Sequence, residues 1–385
     1  MVERTAKTPD APEYLLFAAS ETDADAYYFG QVFVPDPFIA LSHQGKRIAV
    51  VNQLEYARVR RESGFDEVLA LEDWIPQARE QAKAAAVFPA GVIAAVAKAR
   101  GIERFLIPDH FPAGVAFQLL ELGILLEPAS GTLFPDREFK DDVEAKAVRE
   151  GNAVSSAGFR VVEQVLRAAK IEGRRLIYEG RPLTSERLRQ KIEIACVERG
   201  AQALNPIVAG GDQACDPHCR GSGLLRPNEL IIVDIFPRVT ATGYHGDMTR
   251  TYLKGRPSEA QRTLVQTVLD AEQWALTEHR ARKSGRKIYE GVQQRFCDAG
   301  YETFRDENGD PVGFFHGLGH GLGLEVHEAP RVNRQGDTLR KGQVITVEPG
   351  LYYPGLGGCR FEDVVRVTAG EPEMLSKHPY RWHIR

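Results

Sequence analysis

No run of about 18 consecutive apolar residues occurs in the 385-residue sequence, so no segment of it is expected to span a membrane. The opening stretch, MVERTAKTPDAPEYLLF, has no apolar core of the kind a secretory signal carries, and the cytoplasm is the expected compartment. Basic residues number 49 against 53 acidic ones and are spread among them. Without a Lys/Arg cluster interleaved with aromatics, the electrostatic footprint of a nucleic-acid or anionic-membrane binder is missing. Cysteine is scarce as well: five, scattered over a long chain, argue against a disulfide framework and suit a reducing compartment. Two of them flank a histidine in ACDPHC (Cys215, His218, Cys219). No fourth zinc ligand or paired knuckle lies near, so they read as buried or loop thiols beside a histidine with another task. Low-complexity tracts are absent too.

What is present is an ordinary globular composition, 43% hydrophobic and 26% charged with a net charge of −4, long enough for two domains with full cores. Residues 1–138 read as an α/β domain. Short apolar strands are expected at 14–19, 47–51, in EVLAL and in RFLIP, a helix in EYARVRRESG, and a long helix over 74–99. Gly, Pro and Asp cluster in SGTLFPD at 130–136, and a long helix is expected to follow over 139–171. Residues 139–385 form the second domain. Helices are expected from Thr184 to Arg199, from Ser258, with a capping-box pattern to Gln261, to Arg282, and from Ile288 to Ala299. Strand-like runs lie at 230–236, 246–253, 343–348 and 359–367, which together make an α+β arrangement of helices on an antiparallel sheet.

Those strands carry acids where apolar residues belong. Asp234 follows Leu-Ile-Ile-Val, Asp247 opens a Thr-rich strand, Glu348 ends Val-Ile-Thr-Val, and Glu362 precedes Asp-Val-Val. A carboxylate in a buried sheet is costly unless it is paired or coordinated. The segment 314–331, FFHGLGHGLGLEVHEAPR, sets His316, His320 and His327 among glycines, where the backbone can pass close to a bound group. It is neither GxGxxG, since Leu322 takes the last glycine's place, nor HExxH, since Pro330 would break the helix that motif needs. If the four acids converge, like charges push their pKa values up, and two divalent cations would balance −4 with +4. One imidazole among many oxygens suits Mn²⁺ or Co²⁺, with Zn²⁺ admissible, and such a pair can lower the pKa of a shared water from about 15.7 toward roughly 7.

At these residues the sequence resembles the pita-bread metallopeptidases, which include methionine aminopeptidase, Xaa-Pro aminopeptidase and prolidase. The resemblance covers the whole second domain in motif order, and the first resembles the creatinase-type N-terminal domain of the proline-specific members. It implies that Asp234 binds one metal, that Asp247 and Glu362 bridge, and that His320 and Glu348 complete the second metal. Glu348 is also expected to shuttle a proton from a bridging hydroxide nucleophile. His218 and His327 match the histidines that contact substrate and stabilise the oxyanion. His316 matches a histidine of the proline pocket, and Arg331 in HEAPR an arginine that grips a substrate carboxylate. The resemblance implies a homodimer and a small peptide substrate with proline at its second position.

Two departures stand out. The segment from Asp234 to Asp247 is two residues longer than usual, read as an extended hairpin turn, and CRG follows His218 where a glycine is more usual. His245 is expected to face solvent from that hairpin, and Arg360 to steady Glu362. The expected activity is Xaa-Pro dipeptidase, with Xaa-Pro aminopeptidase on longer peptides as the alternative. An inactive binding protein of the same fold and a metal-free creatinase-like C–N hydrolase are the competing classes. Methionine aminopeptidases generally lack so large a first domain.

Overall fold

The computed structural model describes residues 13–81, 87–203 and 205–385. The chain divides into two compact units between Arg137 and Glu138.

The first unit is built on six strands: Glu13–Ala18, Phe38–His43, Lys46–Val51, Glu67–Ala70, Arg104–Ile107 and Leu125–Pro128. They lie in the order fourth, third, second, first, fifth, sixth. The two pairings among the first three strands are antiparallel and the outer three are parallel. Parallel neighbours need crossovers, and helices supply them. After α1 (Ala24–Gly30), α2 (Gln53–Glu62) joins the third strand to the fourth. Then α3 (Leu71–Gln81) and α4 (Val92–Arg100) lead to the fifth, and α5 (Ala113–Glu121) leads to the sixth. Leu15, Ile39, Ile48 and Phe105 bury one face of the sheet, while Leu16, Ala40, Ala49 and Val51 bury the other. Burial on both faces is why these strands read as continuous apolar runs.

The long helix expected over 74–99 is interrupted. Residues 82–86 lie outside the described residues, and Phe88 is extended (φ −131°, ψ 138°). Pro89 keeps the residue before it out of the helical region, and this outweighs the alanine-rich composition around it.

The second unit, Glu138–Arg385, opens with α6 (Asp142–Ala168), three residues later than expected from Phe139. Asp141 explains the delay: its side chain accepts from the N–H groups of Val143 and Glu144, and Glu144 accepts from that of Asp141, a capping box. Helices α7 (Ser185–Val197), α8 (Glu259–Glu278) and α9 (Gly285–Asp298) begin at Thr184, Ser258 and Ser284, whose hydroxyls cap them. One four-stranded sheet runs Ile207–Gly210, Ile231–Ile235, Met248–Lys254, His383–Ile384. A five-stranded sheet runs Glu328–Val332, Gly319–Gly321, Val344–Val347, Asp363–Arg366, Glu373–Met374. The run expected as one strand over 359–367 is two, Gly357–Arg360 and Asp363–Arg366, with Phe361 and Glu362 in the break.

Alternation along these strands positions the acids. Ile231, Val233 and Ile235 pack with Phe159 and Val162 of α6 and Ile192 of α7. Ile345 and Val347 pack with Val268 of α8 and Val292 of α9. Asp234 and Thr346 therefore point to the opposite faces, and Glu348 continues the period of Thr346. Among the described residues no helix is long and apolar enough to cross a membrane.

Candidate metal centre and its cavity

Asp234, Asp247, His320, Glu348 and Glu362 all line one cavity of about 740 Å³. Asp247, His320 and Glu362 each offer a ligand atom within 4.8 Å of the others. The Nε2 of His320 stands 3.7 Å from Oδ2 of Asp247 and 3.6 Å from Oε1 of Glu348. Those spans exceed a hydrogen bond, yet one ion with bonds of roughly 2.1 Å reaches across either.

The local chain allows this crowding. A Cβ at Gly319 would stand 1.9 Å from Thr346 O, and one at Gly321 would stand 1.9 Å from Ala329 O. The strand bearing His320 thus lies between neighbours that leave room only for glycine on either side of it. The Nδ1 of His320 lies 3.1 Å from Gly321 O, which places the ring proton there and leaves the Nε2 lone pair directed at the acids. Burial pushes this imidazole down to about 3, with neighbouring His327 adding to the effect.

Burial also raises the pKa of every acid in the cluster. Asp247 and Glu362 are held well above the ordinary range by desolvation and then by the other carboxylates, and Glu348 is raised to about 7. Asp234 is raised too, although Arg360 donates to its Oδ2 at 2.9 Å; its Oδ1 is buried with no hydrogen-bond partner. An orphaned carboxylate oxygen, an imidazole lone pair and mutually repelling acids are the donor set of a site for divalent cations.

The other expected residues face the same cavity: His218, His316, His327 and Arg331. His316 is fixed by both nitrogens, Nδ1 at 2.7 Å from Gly317 O and Nε2 at 2.9 Å from the Tyr352 hydroxyl. The His327 ring stands edge-on to His320, centroids 4.4 Å apart. Its pKa is lowered by partial burial and by the charge of Arg331. Arg331 makes no side-chain hydrogen bond or ion pair among the described residues. The loop carrying His218 is braced despite its unusual CRG: Arg189 donates to the carbonyls of Arg220 and Gly221, and Gln213 pairs with the backbone of Ser222.

Residues 146–369, more than half of the chain, match the metallopeptidase family M24. The chain belongs to that family. An Xaa-Pro dipeptidase of Pyrococcus furiosus is 33% identical over 191 residues, 49% of this chain and 52% of the relative. The chain thus spans about half the length of the curated relatives it matches. Solved structures align over nearly all of it. An X-Pro aminopeptidase from Thermotoga maritima gives a TM-score of 0.80 at 22% identity, covering 97% of each chain. An Xaa-Pro dipeptidase from Bacillus anthracis gives 0.80 at 23%, covering 97% of this chain and 95% of the other. At such identity the likeness is one of fold: α+β, a pita-bread unit with a creatinase-like α/β unit before it.

Within this M24 fold one expectation is refined and one corrected. Arg360 steadies Glu362 by its charge and through Thr249 rather than by a direct hydrogen bond: its guanidinium donates to Asp234, to the Tyr352 hydroxyl at 2.9 Å and to Thr249 Oγ1 at 3.2 Å, and Thr249 donates on to Glu362. His245 does not face solvent; it is 4% exposed. The turn itself lies before it, closed by the Val239 N–H donating to Tyr244 O, and the His245 N–H already donates to Gly323 O. Cys215 and Cys219 are free thiols, as are the other three cysteines.

Asn152 was invisible in the motifs. From the buried side of α6 its Oδ1 accepts the Asp247 N–H at 2.9 Å. Gly151 and Gly246 let the two backbones touch, since a Cβ on either would stand within 2.4 Å of the other's backbone. The one signal was an asparagine in register with Val148, Ser155 and Phe159 on the apolar face of the helix.

Proposed function

We propose that the chain is a dinuclear-metal peptidase that hydrolyses the bond preceding proline, acting as an Xaa-Pro dipeptidase. The observation that carries this reading is a single cavity in which four raised-pKa carboxylates and a neutral imidazole meet an arginine with no side-chain hydrogen bond or ion pair among the described residues. The likeness to the Xaa-Pro dipeptidases of Pyrococcus furiosus and Bacillus anthracis supports it.

Asp234, His320 and Glu348, with Asp247 and Glu362 shared, would hold two divalent ions, Mn²⁺ or Co²⁺ by the hardness of the oxygen-rich set, with Zn²⁺ admissible. When bound, the pair supplies a water activated near neutral pH and positive charge for the scissile carbonyl. The protein's groups do the rest. Glu348 takes a proton from the attacking water and delivers it to the proline nitrogen as the C–N bond breaks. That delivery is required because the nitrogen of an Xaa-Pro bond carries no hydrogen of its own. His327, held neutral, and His218 donate N–H bonds to the oxyanion. His316, with both nitrogens engaged, offers the proline ring only carbon surface. Arg331 grips the substrate's free carboxylate through its two-pronged guanidinium.

The alternative, an Xaa-Pro aminopeptidase, draws support from the equal likeness to the Thermotoga maritima structure. The test compares kcat/KM for Ala-Pro and Ala-Pro-Ala, with metal content and turnover measured before and after chelation. Dipeptide preference with chelator-sensitive turnover is expected. A strong tripeptide preference moves the activity to aminopeptidase, chelator-resistant turnover points to metal-free hydrolysis, and no metal with no turnover leaves a binding protein. The reading includes a cytoplasmic homodimer, for which light scattering should return twice the mass of one chain.

A further inference from the structure

Lys140 and Glu328 are 188 residues apart in the chain, and their side chains form a direct ion pair that is almost wholly buried, 1% and 9% exposed. Burying two charges costs as much as their attraction returns, and apolar side chains of similar volume would often serve stability better. The location of the pair suggests what it secures. Glu328 directly follows His327 and opens the strand Glu328–Val332. Lys140 is tied on its own side, its N–H donating to Gly342 O at 2.8 Å. Gly323 closes over the pair: a Cβ there would stand 2.4 Å from Glu328 Oε1 and 2.8 Å from Lys140 Cε. The same glycine accepts the His245 N–H at 2.9 Å and donates to Glu325 O at 3.1 Å, so the loop from 323 to 328 is pinned at both ends.

His327 rides on that loop, and its ring makes no hydrogen bond among the described residues; only the edge contact with His320 orients it. Its place in the cavity is therefore set by its backbone, and its backbone by the residue that follows.

We propose that Lys140 and Glu328 are positioning residues whose buried ion pair holds the backbone that presents His327 to the cavity. This rests on the reading of His327 as a substrate-contacting group. Misplacing such a group by about 1 Å can cost roughly a hundredfold in rate. Lys140→Met should accordingly lower kcat for Ala-Pro by about ten- to a hundredfold while KM and bound metal change little, and Lys140→Arg should recover most of it. In a His327→Ala background Lys140→Met should have no further effect, because it acts through that ring. An equal loss in both backgrounds would overturn the proposal, since the pair would then serve the fold at large.

Lys140→Met alone removes one charge of a buried pair, so the pair Lys140→Met with Glu328→Gln, which removes both charges, guards against a simple folding failure. The second readout needs no turnover: the ¹⁵N-histidine spectrum of the Zn²⁺-loaded protein. The His327 ring signals should broaden or shift in the double variant and return in Lys140→Arg. Unchanged signals overturn the anchor whatever the activity. Absence of Xaa-Pro cleavage by the unmodified protein instead defeats the functional reading, while the spectrum still decides the anchor.

Discussion

Glu362 and Asp363 are consecutive buried carboxylates in opposite circumstances. Asp363 is saturated: Arg250 donates to its two oxygens at 3.0 and 3.1 Å, and the hydroxyls of Ser376 and Tyr380 add bonds of 2.6 Å each. Glu362 receives a single side-chain bond, from Thr249 at 2.8 Å, and three other acids outweigh the nearby charge of Arg360. Sheet alternation sends one toward a closed knot and its neighbour into the cavity. Burial alone therefore does not mark a functional acid. What marks it is a deficit of donors, because a saturated carboxylate needs nothing more and a deficient one is stable only when a cation arrives. The arginines divide in the same way: Arg250 donates to Asp363, Thr249 O, Glu362 O and His378 O, whereas Arg331 makes no side-chain hydrogen bond or ion pair among the described residues.

The contrast breaks most sharply on substitution. Asp247→Asn and Glu362→Gln should each abolish metal retention and cut turnover by more than the roughly 10–100-fold typical of losing an outer partner of a metal ligand. In chelator, however, both variants should melt at or above the unmodified protein, since each removes a repelling buried charge. Asp363→Asn should do the reverse. It leaves the buried Arg250 cation with carbonyl acceptors but no carboxylate, and should cost about 3–5 kcal/mol of stability, while metal bound per folded molecule stays the same. Metal analysis and melting curves with and without chelator separate the two. Equal behaviour at 362 and 363 would erase the distinction.

Much of the site was legible because alternation is a local property: Asp234 follows Val233 and so faces away from the helices that cover Ile231 and Val233. What was not legible is what crosses the chain. Arg360 was read toward Glu362 because the two are close in sequence, but the strand Gly357–Arg360 ends there and the guanidinium reaches Asp234, 126 residues away. His245 was read as a hairpin tip, whereas the turn closes one residue before it. Asn152 and Lys140 carry no motif at all and acquire meaning only when α6 and the loop after His320 are seen against the acids. The broken helix at Phe88 differs in kind, since Pro89 acts locally on the residue before it and needs no partner from elsewhere in the chain.

Protonation sharpens the comparison more gently. A carboxyl raised in the folded state contributes stability that is present below its unfolded pKa and lost as pH rises through the folded one. For Glu348 that window runs from 4.5 to about 7. In chelator the unmodified protein should therefore match Glu348→Gln near pH 4.5 and fall behind it toward pH 7. His320, lowered to about 3, works in the opposite direction in both proteins and cancels in the difference. Metal binding must expel the same proton, so Mn²⁺ affinity should climb with pH up to about 7. Calorimetry at pH 6 in buffers of different ionisation enthalpy should register proton release on titration with Mn²⁺. Zero release would mean that the acids are already ionised and that the donor deficit is met in some other way.

The smallest effect is expected at Arg331, which makes no side-chain hydrogen bond or ion pair among the described residues and so contrasts with the ion-paired Arg250. At an exposed side chain such as Arg331 a charge-assisted pair with a substrate carboxylate contributes about 1.5 kcal/mol, the lower end of its range, so Arg331→Ala should raise KM for Ala-Pro by roughly tenfold or somewhat more. For Ala-Pro-Ala the carboxylate lies one residue further on, and the increase should be at most about threefold. Turnover at saturation should hold in both, because the contact is made equally in the ground and transition states. Equal KM increases for the two substrates would place Arg331 among the residues that shape the cavity. The dipeptide reading would then lose its main support from this chain's own side chains.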